Sequence, residues 1–110
     1  MLSPIGKMVN GVREWETDIV LSGNQGVVWI PTRGQDVWFD VYIATTATVT
    51  LYKTQTQNPV DGTVGEAVTH DTLTATGSSL SLGSWRFHGV AVAITSGAVK
   101  VRVRGMEVGG

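Results

Sequence analysis

The groups in this 110-residue chain whose types could do chemistry are two histidines, a serine cluster and two short rows of charged residues. His70 is followed at once by Asp71, His88 stands further on in an apolar run, and Ser78, Ser79, Ser81 and Ser84 lie between them. A hydrolytic triad needs a carboxylate that holds the imidazole and an imidazole that reaches the serine. Successive residues of an extended chain point to opposite faces, so Asp71 is not placed to orient His70. No nucleophile-elbow motif surrounds any of the serines. These residues therefore read as polar loop serines and surface histidines, and the chain as no enzyme.

Glu14, Glu16 and Asp18 alternate along one stretch, which puts them on one strand face about 7 Å apart in succession. Carboxylates at such separations can hydrolyse a glycosidic bond or ligate calcium. A general acid, however, needs an apolar or like-charged setting to raise its pKa, and a solvated strand face supplies neither. The row reads as an acidic outer edge with no metal and no cofactor. Lys100, Arg102 and Arg104 repeat the same period near the end of the chain. If the two strands are neighbours, the rows interleave as cross-strand pairs worth about 0.2–1 kcal/mol each. If they are not, the acidic row of one subunit meets the basic row of another and fixes register between copies. Both arrangements stay open at this point.

Four tryptophans invite a binding reading. Asp36, Trp38, Asp40 and Tyr42 share one face of a strand, and that is what a glycan platform needs: rings stack on the apolar face of a sugar while carboxylates accept its hydroxyls. The competing reading packs this face against the rim of the second sheet or against another subunit. Trp15 and Trp85 read as core. Trp29, in the run 27–30 that is apolar on both faces, reads as core or interface.

The elements that must position these groups are strands. Residues 85–95 and 98–108 alternate apolar and polar, with Val99, Val101 and Val103 on one face and Lys100, Arg102 and Arg104 on the other. They read as a long hairpin turning at Ser96-Gly97. Residues 13–21, 27–30, 35–44, 47–54 and 67–75 are the remaining strands, with 47–54 expected to be the hairpin partner of 35–44. Residues 55–66 form a loop marked by Asn58-Pro59, Asp61-Gly62 and Gly65. Residues 77–83 read as a turn anchored by Leu80 and Leu82. No useful helical periodicity is present. The count is about seven to eight strands at regular spacing, which specifies an all-β fold, an antiparallel β-sandwich or jelly roll.

Composition narrows the partners. The chain is one domain long, with residues 1–11 as an N-terminal arm and 12–110 as a single β-sandwich domain. The arm carries Leu2, Ile5, Met8 and Val9 between the breakers Pro4, Gly6 and Gly11, and is expected to lie across the core or a neighbouring subunit. The net charge of −1 gives no drive toward nucleic acid. Charged residues make up only 15% of the chain and mean hydropathy is slightly positive, so part of the surface is expected to be covered in a homo-oligomer. There is no cysteine, hence no disulfide and no thiolate metal site. No stretch has the roughly 20 apolar residues of a membrane helix, and residues 1–10 lack the apolar block of a secretory signal.

The segment WRFHGVAVAITSGAVKVRVRG, residues 85–105, resembles the closing hairpin of many small bacteriophage virion proteins. In those, an aromatic-rich start at positions such as Trp85 and Phe87 leads through alternating valines and a Thr/Ser-Gly turn into a valine ladder. Gly- and Thr-rich, cysteine-free chains of this size are also similar to capsid decoration and head- or tail-associated proteins. The resemblance covers about a fifth of the chain. It implies a non-enzymatic structural subunit of a virion, made in the host cytoplasm, with other capsid or tail proteins as partners. The assembly residues would then be Leu2, Ile5, Met8, Val9, Trp29, Lys100, Arg102 and Arg104. The alternative expectation is a carbohydrate-binding module or receptor-binding domain using Trp38, Tyr42, Asp36 and Asp40.

Overall fold

The computed structural model describes residues 7–9, 12–21, 24–32, 34–95 and 97–108, the first two segments and residue 108 by their backbone. All regular elements among them are strands: β1 (Lys7–Val9), β2 (Val12–Leu21), β3 (Gln25–Pro31), β4 (Asp36–Ile43), β5 (Thr48–Thr54), β6 (Val68–Leu73), β7 (Gly77–Ser81), β8 (Phe87–Ala93) and β9 (Val99–Val108). They form two sheets, ordered β1-β2-β9-β4-β7 and β3-β8-β5-β6. The antiparallel pairs β5·β6, β4·β7, β3·β8 and β2·β9 are nested. They are the rungs of one long hairpin of eight strands, and rolling that hairpin onto itself adds the pairs β4·β9 and β5·β8. This is the jelly-roll form of the all-β sandwich.

Alternation dictates the interior. Val37, Phe39, Val41 and Ile43 of β4 point inward, as do Val99, Val101 and Val103 of β9. From the other sheet they meet Val28 and Ile30 of β3, Val49 and Leu51 of β5, and Val90 and Val92 of β8, in one continuous core. Each such side chain, fully buried, is worth about 1.5–3 kcal/mol of transfer free energy. Pro31 is tolerated because β3 is an edge strand, where a missing N–H breaks no ladder.

Four expectations change. The strands at 85–95 and 98–108 do not pair: β8 and β9 belong to opposite sheets, and the link 94–98 crosses between them. The same holds for β4 and β5, joined by the crossing link 44–47, which is tied to the start of β9 by Ala44 N–H donating to the Lys100 carbonyl at 3.0 Å. A period of two says which residues of a strand face inward; it does not say in which sheet the strand lies. Residues 77–81 form a strand rather than a turn, and Leu80 and Leu82 are 42% and 59% exposed rather than anchors. Trp85 is half-buried at the rim, with the Lys53 ammonium 4.8 Å above its ring, not in the core. Residues 7–9 of the arm add a strand beside β2, in the register Val9↔Val12.

Candidate functional site

The outward face of the five-stranded sheet gathers residues that the sequence left in separate groups. On β4 that face carries Asp36, Trp38, Asp40 and Tyr42, which alternate with the core residues. On β9 it carries Lys100, Arg102, Arg104 and Met106. The two strands are neighbours, with Trp38 opposite Met106, Asp40 opposite Arg104 and Tyr42 opposite Arg102. On the other side of β4, Leu80 and Ser78 of β7 stand opposite Trp38 and Asp40. On the other side of β9, Glu16 of β2 is opposite Arg104 and Asp18 is opposite Arg102. The first and last long strands are therefore neighbours, and the acidic and basic rows interleave within one sheet of one chain.

The face has two ends of different character. At one end Met106, Trp38 and Leu80 line up across three adjacent strands, with Leu82 just beyond. At the other, Asp40, Tyr42, Thr76, Ser78, Arg102 and Arg104 line a depression of about 380 Å³. Trp38 Nε1–H donates to Asp40 Oδ1 at 2.9 Å, which ties the two ends together and fixes the carboxylate. Asp36 is used elsewhere: its Oδ1 accepts from the Gly83 N–H at 3.2 Å, at the turn leaving β7. The four-residue platform thus divides, with Tyr42 and Asp40 in the depression, Trp38 in the apolar row and Asp36 on the turn.

Among the proposed assembly residues, Leu2 and Ile5 lie outside the described residues, and Met8 and Val9 are described only as backbone partners of Arg13 and Val12. Trp29 is 8% exposed and is covered by its own chain. Its indole N–H donates to the Thr63 carbonyl at 3.1 Å, and its ring lies 6.4 Å from that of Tyr52. Gly89 sits between these two aromatic residues in register. A Cβ at Gly89 would come within 2.8 Å of the Trp29 ring, so the glycine makes the seat on which the indole lies. Loop 55–66 then closes over β3: the Asp61 carboxylate accepts the Trp29 backbone N–H at 2.9 Å, and the Gly62 N–H donates to the Val27 carbonyl at 2.7 Å. Those two bonds occupy backbone groups of an edge strand.

The histidines are not both at the surface. His88 is fully buried between the sheets. Ser81 Oγ lies 2.7 Å from its Nε2 and Thr32 Oγ1 lies 2.9 Å from its Nδ1. The first distance is that of a nucleophile and its base, but the partners define another role. The Thr32 hydroxyl gives its one proton to the Trp85 carbonyl, 2.9 Å away. Nδ1 must therefore be the donor to Thr32, and Nε2 accepts from Ser81. Burial, and then repulsion from His70 and Lys53, push the pKa of His88 down to about 3, so the ring is neutral and every polar atom of the group is bonded. This is a polar tie between β7, β8 and the end of β3. His70 makes a second tie, at the rim, where its Nε2 lies 2.9 Å from Ser79 Oγ. Burial and Lys53 lower its pKa while Asp71 raises it. The two serines alternate on β7 and both face the opposite sheet, which explains a strand whose inward positions carry no apolar pattern.

Sequence reasoning missed Met106, Leu80 and Ser78. The signal for Met106 was present, since period two places it on the face of Arg102 and Arg104. Among the described residues, no group of three or more His, Asp or Glu side chains is placed to hold a metal ion. The described residues form a jelly-roll domain in which loop 55–66 covers the outward side of β3, while among them Trp38, Leu80 and Tyr42 on the other sheet stay at least partly exposed. No protein-family model matches it, and no curated protein sequence does.

Proposed function

We propose that the chain is a non-enzymatic assembly subunit that packs against copies of itself through the apolar end of its open face, as a structural component of a phage-like virion. One observation carries this reading: the row Met106, Trp38 and Leu80 across three neighbouring strands, extended by Leu82 and bordered by Arg102 and Arg104. Tryptophan, methionine and arginine are enriched at the centres of protein interfaces, and contiguous apolar surface marks sites of association. The particle context rests on an analogy of fold, since jelly rolls build viral capsids; the likeness of residues 85–105 to a closing hairpin adds nothing to it, because β8 and β9 lie in opposite sheets. Weak contacts of this kind add up when many copies bind together. Leu2 and Ile5 of the arm would add to the contact.

Sedimentation velocity on the wild type, Leu80→Asp and Trp38→Ala tests the proposal, with urea unfolding run in parallel. The wild type is expected to form a defined multimer. Leu80→Asp is expected to sediment as a monomer with an unchanged urea midpoint. A wild type that stays monomeric as concentration rises, or a Leu80→Asp variant with the wild-type mass, overturns the reading.

A further inference from the structure

We propose that the depression at the polar end of the open face binds a neutral saccharide. Its lining has the three parts such a ligand requires. Tyr42 is 45% exposed at the end of β4 and offers a ring for stacking on the apolar face of a pyranose. Asp40 and Arg104 stand opposite each other on adjacent strands about 5 Å apart, so a carboxylate acceptor and a guanidinium donor rise from neighbouring backbone positions and both line the depression. Paired hydroxyls of a sugar can donate to the first and accept from the second. Ser78, opposite Asp40 on its other side, adds a hydroxyl that can do both.

The site is held in advance. Trp38 Nε1–H fixes one oxygen of the Asp40 carboxylate, which has accepting capacity beyond that one bond. The Thr76 hydroxyl accepts from the Ile43 N–H at 3.0 Å and donates to the Ile43 carbonyl at 3.4 Å, which pins the wall of the depression to the end of β4. Preorganisation of this kind lowers the entropy cost of binding.

Charge selects a neutral ligand over an anion. Arg102 and Arg104 are matched by Asp40 within the depression and by Asp18 and Glu16 at the opposite register positions of β2. Acidic residues in this row are at least as many as basic ones, so a carboxylate or sulfate finds no net attracting field. A polyhydroxylated neutral ring uses both signs. The site adjoins the assembly row through the Trp38–Asp40 bond, but its stacking ring, Tyr42, is four residues, about 13 Å, along β4 from Trp38.

Saturation-transfer NMR, which works on monomer and assembly alike, tests this. The probes are methyl pyranosides of glucose, galactose, mannose and N-acetylglucosamine and their short oligomers, with the methyl glycoside of sialic acid and inorganic sulfate as anionic arms. At least one neutral probe should take up saturation at about 10 mM, tenfold above a millimolar Kd. Tyr42→Ala should weaken that binding at least about tenfold, about 1.4 kcal/mol. Asp40→Asn should weaken it less, and Tyr42→Phe should keep it. Leu80→Asp should leave it unchanged, so a failure of assembly and a failure of sugar binding are read separately. Should Tyr42→Ala fail to fold, the Tyr42→Phe and Asp40→Asn pair still decides. No transfer to any neutral probe, transfer to the anions alone, or transfer indifferent to both Tyr42 and Asp40 substitutions overturns the proposal.

Discussion

Trp29 and Trp38 both stand on outward faces, one on each sheet, and meet opposite fates. Trp29 lies on the seat left by Gly89, beside Tyr52, with its indole N–H given to the Thr63 carbonyl. Trp38 is half-exposed between Leu80 and Met106, with its indole N–H given to Asp40 on the same face. The difference is loop 55–66. On the four-stranded sheet the chain supplies its own cover, so the aromatic residue there stabilises the monomer. On the five-stranded sheet an equally large aromatic side chain is left half-exposed among the described residues. A tryptophan count in the sequence cannot separate these two uses; the strand order and the loop path do.

The largest test of this contrast is alanine at each position. Trp29→Ala removes a buried ring and should cost about 3–5 kcal/mol of folding stability. Trp38→Ala should cost about 1 kcal/mol or less, because a half-exposed residue leaves little cavity. Urea midpoints of the two variants measure both. Equal losses would mean that the open face is as fully used within the monomer as the covered one.

Legibility followed the same division. The inward rows of β4 and β9 were readable because Val, Phe and Ile alternate without interruption. The covered strand β3 was readable from its unbroken apolar run, although what covers its outward side was not. Strand β7 was invisible, since Ser79 and Ser81 spend its inward face on histidines instead of apolar packing. Strand β1 had a signal that went unused, the Asn10-Gly11 pair between two residues now found in register. Sheet assignment was beyond reach, as crossing links such as 44–47 carry no residue that marks them off from hairpin loops. For the site, the β4 and β9 rows were each legible alone. Their adjacency, which makes one face of them, is a property of the rolled hairpin.

The histidines repeat the contrast in a form that acid can probe. His88 is bonded on both nitrogens inside the sandwich, while His70 sits at the rim. The folded pKa of His88, about 3, lies below its ordinary 6.5. The unfolded chain therefore binds the proton more readily between those values. Stability from the neutral ring is complete above pH 6.5 and is lost as pH falls toward 3, at the limit on the order of 5 kcal/mol. His70, also shifted downward, should add a smaller loss in the same direction. Urea midpoints between pH 7 and pH 4 should fall steeply for the wild type and less steeply for His88→Gln, since carboxylate titration is common to both. Parallel profiles would show that the buried tie does not carry the acid response.

Gly89→Ala sharpens the covered side further without removing any aromatic group. The added methyl meets Val27 Cγ2 at 2.7 Å and the Trp29 ring at 2.8 Å. Both neighbours are buried, so the contact is relieved only by shifting Val27 and lifting the indole. Overpacking of this size costs about 1–3 kcal/mol, and the shift should also raise the exposure of Trp29, visible as a red shift and quenching of its fluorescence. A Gly89→Ala variant with wild-type stability and emission would show that the seat is loose.

The smallest expected effect concerns the edge that the loop closes. Asp61→Ala removes the acceptor of the Trp29 backbone N–H and leaves that group of β3 facing the space the carboxylate filled. The loss should be about 0.5–1.5 kcal/mol, at the level of one partly buried hydrogen bond. Its second consequence is more telling. Gly62 N–H still holds the Val27 carbonyl, so the loop stays near, but one unpaired donor on an edge strand invites pairing with another chain. Asp61→Ala should therefore gain a concentration-dependent association that Leu80→Asp does not suppress, because it arises on the opposite sheet. If the double variant Asp61→Ala/Leu80→Asp is monomeric at concentrations where Asp61→Ala associates, the new contact uses the open face, and the division of labour between the two sheets fails.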